Sequence, residues 1–136
     1  MSPGAREPFG ERLAAAVAVR GPLCVGIDPH PALLDAWGLR DDAGGLETFA
    51  MAAVEALGES VAALKPQVAF FERHGSRGIS VLERVLATAG EAGALTIADA
   101  KRGDIGSTMA AYADAYLGEG SPLAALRAPQ RAAVPA

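Results

Sequence analysis

The sequence predicts an α/β fold built on a parallel sheet, and three observations carry that prediction. Three short apolar runs, 23–27, 61–65 and 94–98, show no polar alternation, as strands covered on both faces do. Segments with apolar residues at helical spacing separate them. Each connection is long enough for a crossover, which parallel neighbours require.

The elements follow in order. Phe9, Leu13 and Val17 recur four apart among alanines and charged residues, predicting a helix from about Arg6 to Arg20 that Gly21-Pro22 ends. Leu23 to Ile27 is the first strand, closed by Asp28-Pro29. Two prolines and several glycines between Asp28 and Gly45 predict a loop with one short helical turn around Leu33 to Trp37. Leu46 to Leu57 reads as a helix with Gly58 as its stop signal. Val61 to Lys65 is the second strand, cut off by Pro66, and Phe70 to Gly78 reads as irregular. Ile79, Leu82, Val85 and Leu86 define a helix over 79–89, closed by Gly90 and Gly93. Ala94 to Ala98 is the third strand. Ser107 to Leu117 is the last helix, with Met109, Tyr112, Ala113 and Tyr116 on one face.

Composition narrows the function classes. With 51% hydrophobic and 21% charged residues, the 136-residue chain is not of the disordered type. A net charge of -4 argues against a nucleic-acid partner, since neutralising phosphates needs a basic surplus. No apolar run approaches the roughly 20 residues that span a bilayer. Met1 to Glu7 lacks the basic-then-apolar layout of a signal peptide. The single Cys24 cannot form an internal disulfide, and its place inside an apolar strand reads as inert core. The expectation is a soluble, cytoplasmic protein.

In parallel α/β folds ligands sit at the carboxyl ends of the strands. Those positions here are Asp28, Lys65 and Asp99, with Lys101 and Asp104 just beyond. Taken alone, Asp28 and Asp99 read as turn starters or helix caps and Lys65 as a charge carried out to water, and Asp104 before Ile105-Gly106-Ser107 fits an N-cap. Together they converge, because consecutive parallel strands place their ends side by side. Residues two apart at a strand end point the same way, so Asp99 and Lys101 can face one pocket, with Arg102 turned away toward solvent or an interface. A lysine among carboxylates stays protonated. Such an ammonium can donate a proton and stabilise negative charge developing on carbon. A fixed carboxylate would repel a substrate carboxylate, a repulsion that ends as CO2 leaves. His30 and His74 have no partners at metal-ligand spacing and read as loop or surface residues. Gly75-Ser76-Arg77-Gly78 lacks the glycine spacing of a phosphate loop and reads as a turn.

The run from Asp99 to Thr108, DAKRGDIGST, resembles the D-x-K-x-x-D-I-x-x-T signature of the orotidine 5'-phosphate decarboxylases. Leu23 to His30 resembles that family's first strand. Leu64-Lys65-Pro66-Gln67 with Phe70-Phe71-Glu72 is similar to its second, in the actinobacterial and mycobacterial form. The resemblance covers about residue 9 to Ala124 and implies a partial (β/α)8 TIM barrel, its first three β/α units plus an N-terminal helix. It implies that Lys101 protonates C6 of the pyrimidine as CO2 departs, with Asp99 against the substrate carboxylate. Asp28 and Lys65 match positions that hold the ribose and complete the charge network. Asp104 and Thr108 match residues that reach into the neighbouring subunit's site, so a homodimer is expected. Neither metal nor organic cofactor is implied, and the products would be uridine 5'-phosphate and CO2, in de novo pyrimidine synthesis.

The domain reading assigns 1–124 to the N-terminal part of such a barrel and 125–136 to an aberrant, disordered tail produced by a frameshift or premature stop. The phosphate-binding loops, which in these barrels follow the last two strands, are expected beyond the stretch of resemblance. Two other readings stay open. One is a metal-dependent sugar-phosphate relative on the same barrel, such as a hexulose-phosphate synthase or a ketogulonate-phosphate decarboxylase. The other is a non-catalytic fragment that only associates through its exposed sheet edge.

Overall fold

A computed structural model describes residues 7–124. The proposed tail, 125–136, lies outside the described residues. Helix α1 (Phe9–Arg20) leads into β1 (Cys24–Ile27), followed by α2 (Pro31–Ala36) and α3 (Ala43–Leu57). Then come β2 (Ala63–Pro66), α4 (Ala69–Glu72), α5 (Gly75–Ala92), β3 (Leu95–Thr96), α6 (Gly106–Leu117) and a 3-10 turn, Pro122–Ala124. The three strands form one parallel sheet in the order β1-β2-β3, as the alternation of strand and helix requires. No helix among the described residues is long and apolar enough to cross a membrane.

The register decides which side chains share a face. Gly26 lies beside Lys65, and Leu64 beside Thr96, while Gln67 and Asp99 form a bridge past the end of the ladder. With side chains alternating, Cys24, Gly26, Asp28, Lys65, Gln67 and Asp99 therefore look to one side of the sheet. The other side carries Ile27, Leu64 and Ala98 into the core, where α3, α4 and α5 cover them with Leu46, Phe71 and Leu86. The layering is one helical layer on one sheet face.

Several expectations are corrected here. The strand containing Cys24 is an edge strand: Cys24 and Gly26 are exposed and only Ile27 is buried, so Cys24 is no core residue. The central strand and β3 have the buried character read from their sequences. Pro66 does not cut the central strand off. Its carbonyl still accepts the Asp99 N–H at 3.1 Å, so the ladder runs on through the proline. The segment read as irregular, 70–78, holds α4 and the start of α5, and Gly75 to Gly78 is that helix's first turn. The glycines hid it. A Cβ on Gly78 would stand 1.8 Å from the Phe71 carbonyl oxygen, so the close approach of α4 and α5 demands glycine there.

Likewise α3 begins at Ala43, three residues before the predicted start, because the Asp42 carboxylate caps it by accepting the Gly45 N–H at 2.8 Å. Helix α1 buries no residue fully. Its anchor is Arg20, whose guanidinium donates to the carbonyls of Gly58 (2.6 Å), Val61 (3.1 Å) and Ala92 (2.9 Å). One side chain thus ties α1 to the ends of α3 and α5 and to the approach to β2. On α6 only Tyr116 of the predicted face is buried, and Met109 is exposed.

Candidate active site

The site forms where β2 and β3 end. The Asp99 backbone is fixed by its N–H to Pro66 and its carbonyl to Val68 N–H, and its side chain is 12% exposed. Its Oδ2 accepts from Lys101 Nζ at 2.7 Å and from Gln67 Nε2 at 3.1 Å, and Lys65 Nζ stands 3.8 Å away. Lys101 Nζ also reaches Gln67 Oε1 at 3.4 Å. The hydrogen bond from Lys101 is the largest influence on the Asp99 carboxyl. With the bond from Gln67 and the two ammonium charges, it outweighs partial burial and holds the group below its ordinary value of 3.8. Asp99 is therefore an anion at neutral pH.

Lys101 is the one non-glycine residue among those described whose backbone is left-handed, with φ +52°. Side chains other than glycine resist that region at a cost of about 1–3 kcal/mol, so surrounding contacts must hold it. The turn has the effect the chemistry needs. The peptide chain leaves the sheet at Ala100, yet the Lys101 ammonium is brought back to Asp99 and stays 68% exposed toward open space.

Of the sequence-predicted residues, the structure brings Lys65, Asp99 and Lys101 together. Asp28 stands at the end of β1 on the same face, its Oδ1 folded over Gly26, where a Cβ would come within 3.0 Å. Asp104 and Thr108 do not join the cluster. The Asp104 carboxylate accepts the Ile105 N–H at 2.7 Å, and both residues are exposed around the start of α6, whose cap is Ile105. Asp104 is thus not the N-cap.

Gln67 was not among the predicted site residues, although its amide bridges Asp99 and Lys101. The signal was available: it lies two residues after Lys65, on the same side of the strand. Arg102, expected to turn toward solvent or an interface, is one-third exposed and pairs within the chain with Glu72 of α4 at 2.5 Å. His30 caps α2, accepting the Leu33 N–H at 3.2 Å, and His74 Nε2 lies 4.0 Å from Asp41. Among the described residues no group of three or more His, Cys, Asp or Glu side chains is placed as metal ligands would be.

Chemically, the cluster offers an exposed ammonium held beside a fixed anion, with a second ammonium behind it. Such a site can bind an anionic group, donate a proton and stabilise a carbanion.

Residues 21–124 match the family model described as Orotidine 5'-phosphate decarboxylase / HUMPS family. An orotidine 5'-phosphate decarboxylase of Nocardioides sp. is 68% identical over 117 residues, covering 86% of this chain and 43% of the relative. That of Streptomyces coelicolor is 62% identical over the same length and is covered to 42%. A crystal structure from Streptomyces avermitilis, provisionally assigned as the same enzyme, superposes with a TM-score of 0.86 at 64% identity. That match covers 90% of this chain and 44% of the solved one. Leishmania donovani OMP decarboxylase gives a TM-score of 0.66 at 32% identity. The chain thus spans less than half the length of these relatives, and its β/α units are those of a partial barrel.

Proposed function

Because the chain belongs to the orotidine 5'-phosphate decarboxylase / HUMPS family, we propose that its charge cluster is built to decarboxylate orotidine 5'-phosphate to uridine 5'-phosphate. The observation that carries this reading is the single Asp99 oxygen shared by Lys101, Gln67 and Lys65 at the carboxyl ends of parallel strands. In the reaction the bond from C6 to the carboxylate breaks and its electron pair stays on C6. The Lys101 ammonium, beside that carbon, stabilises the developing charge and gives C6 its proton as CO2 leaves. Asp99, an anion at neutral pH, keeps Lys101 protonated and in place and faces the substrate carboxylate. Lys65 and Asp28 take the ribose side. No cofactor enters this chemistry.

The reading extends to the surroundings. In this reading Asp104 and Thr108, both exposed, would act on a second subunit's site in a homodimer, and the protein would work in the cytoplasm with no nucleic-acid partner. The substrate phosphate would meet barrel segments outside the fraction of the relatives that this chain spans, and binding energy from that remote group supports the chemistry.

The test is a decarboxylation assay of the purified chain beside Lys101→Ala. Turnover by the parent that Lys101→Ala abolishes supports the reading, and equal rates in the two sink it. Activity lost to a chelator would favour the metal-dependent sugar-phosphate relatives instead. Sedimentation distinguishes a discrete dimer from open-ended association of a non-catalytic fragment.

A further inference from the structure

The left-handed backbone at Lys101 needs a cause, and the adjacent residue supplies one. The Arg102 guanidinium forks. One nitrogen donates to the Ala100 carbonyl at 3.2 Å, and the other pairs with Glu72 Oε1 of α4 at 2.5 Å. The Ala100 carbonyl belongs to the peptide that enters Lys101, and Arg102 is the residue that follows it. The first bond therefore closes a ring around the Lys101 backbone. The second fixes that ring to a helix packed on the core through Phe71, which is fully buried. On the near side, the Ala100 N–H donates to the Ala98 carbonyl at 3.0 Å, so the chain is held on both flanks of the reactive pair.

We propose that Arg102 and Glu72 are positioning residues, a clamp that imposes the Lys101 turn and thereby aims its ammonium at Asp99. Arg102 touches neither Asp99 nor the cluster's open side, so its action runs through the backbone. Both members are one-third exposed, and the Glu72 carboxylate is the main reason the Arg102 guanidinium holds its proton even more firmly than usual. A planar fork suits this geometry, since it aims separate N–H groups at Glu72 and Ala100 where lysine offers a single nitrogen. The clamp also joins the segment after β2 to the segment after β3, so the two halves of the cluster are set by one contact.

This inference rests on the proposed decarboxylase reading for its catalytic consequence, but the clamp itself can be tested without turnover. The experiment is a ¹³Cγ NMR titration of Asp99 in the parent chain, Arg102→Gln, Glu72→Ala and Glu72→Gln, with kcat and KM measured in parallel. In Arg102→Gln and Glu72→Ala the Asp99 midpoint should rise toward its ordinary value as Lys101 swings away. Their kcat should fall about 10- to 100-fold, the scale of a reacting group misplaced by about an ångström, with KM little changed. Glu72→Gln keeps an oxygen for Arg102 and should stay near the parent in both readouts. If Arg102→Gln does not fold, Arg102→Lys replaces it, with an intermediate rise in the Asp99 midpoint expected. An Asp99 titration that is the same in all the folded variants overturns the clamp. A parent that never turns over, with the midpoint shifts as stated, removes the decarboxylase reading and leaves the clamp standing.

Discussion

Lys101 Nζ lies 2.7 Å from Oδ2 of Asp99, and the lysine's own backbone is bent into the left-handed region to bring it there. The pair contributes to the acid limb of stability. Asp99 has a folded pKa below its ordinary 3.8, so its contribution is complete above that value and disappears as pH falls through the folded one. Both lysines are substantially exposed, which screens the pair. Asp99→Asn should therefore cost only about 1 kcal/mol at neutral pH. Urea unfolding of both proteins between pH 7 and pH 2.5 checks this. The gap between them should close in the acid range, and a gap constant across it would show that the ion pairs contribute nothing.

Cys24 gives a second, simpler test. Its strand stands at the sheet edge and its side chain faces the uncovered side, so the thiol is open to reagents. In the native chain it should react with a maleimide at nearly the rate seen in denaturant. Protection of more than about tenfold would mean that something covers this face in solution.

The sequence made the architecture legible where an apolar run is unbroken or apolar side chains recur with a clear period. The central strand, α5 and the run Asp99 to Thr108 needed no structure to find. It misled where burial depends on what lies alongside: Leu23 to Ile27 is as apolar as Val61 to Lys65, yet only the latter has a neighbour on each side. Glycine misled for another reason. Gly45 and Gly78 look like loop residues but mark helices approached too closely for a Cβ. Gln67 and Glu72 were in view as parts of a resemblance. Their roles were hidden because a hydrogen bond between segments about 30 residues apart leaves no local period.

Arg20 was equally invisible, being one basic residue at a helix end. Its three bonds to carbonyls join α1, α3, α5 and the approach to β2, and α1 has no fully buried residue to anchor it otherwise. Arg20→Ala should destabilise the chain by about 2–4 kcal/mol, since charged donors are lost and part-buried carbonyls are left without them. Arg20→Lys should recover only part, having no fork to span the acceptors. Thermal unfolding followed by circular dichroism measures both. Equal stability of Arg20→Ala and the parent would show that water replaces the guanidinium at no cost.

Two helical glycines make opposite predictions for one substitution. Gly10 in α1 has nothing within 4 Å of a built Cβ, so Gly10→Ala should stabilise the chain by up to about 1 kcal/mol through restricted backbone freedom. Gly78 in α5 has the same intrinsic gain available, but its Cβ would meet the Phe71 carbonyl oxygen at 1.8 Å and the His74 Cβ at 2.9 Å. That oxygen also accepts the His74 N–H, so it cannot simply turn aside. Helix α4 has to move, and overpacking of this kind costs about 1–3 kcal/mol or more, which outweighs the gain. Gly78→Ala should thus lower the urea midpoint while Gly10→Ala raises it. The displacement would not stop at the core, because Glu72 follows Phe71 directly and holds Arg102. Gly78→Ala should therefore also raise the Asp99 titration midpoint, from a position that touches none of the charged residues of the cluster.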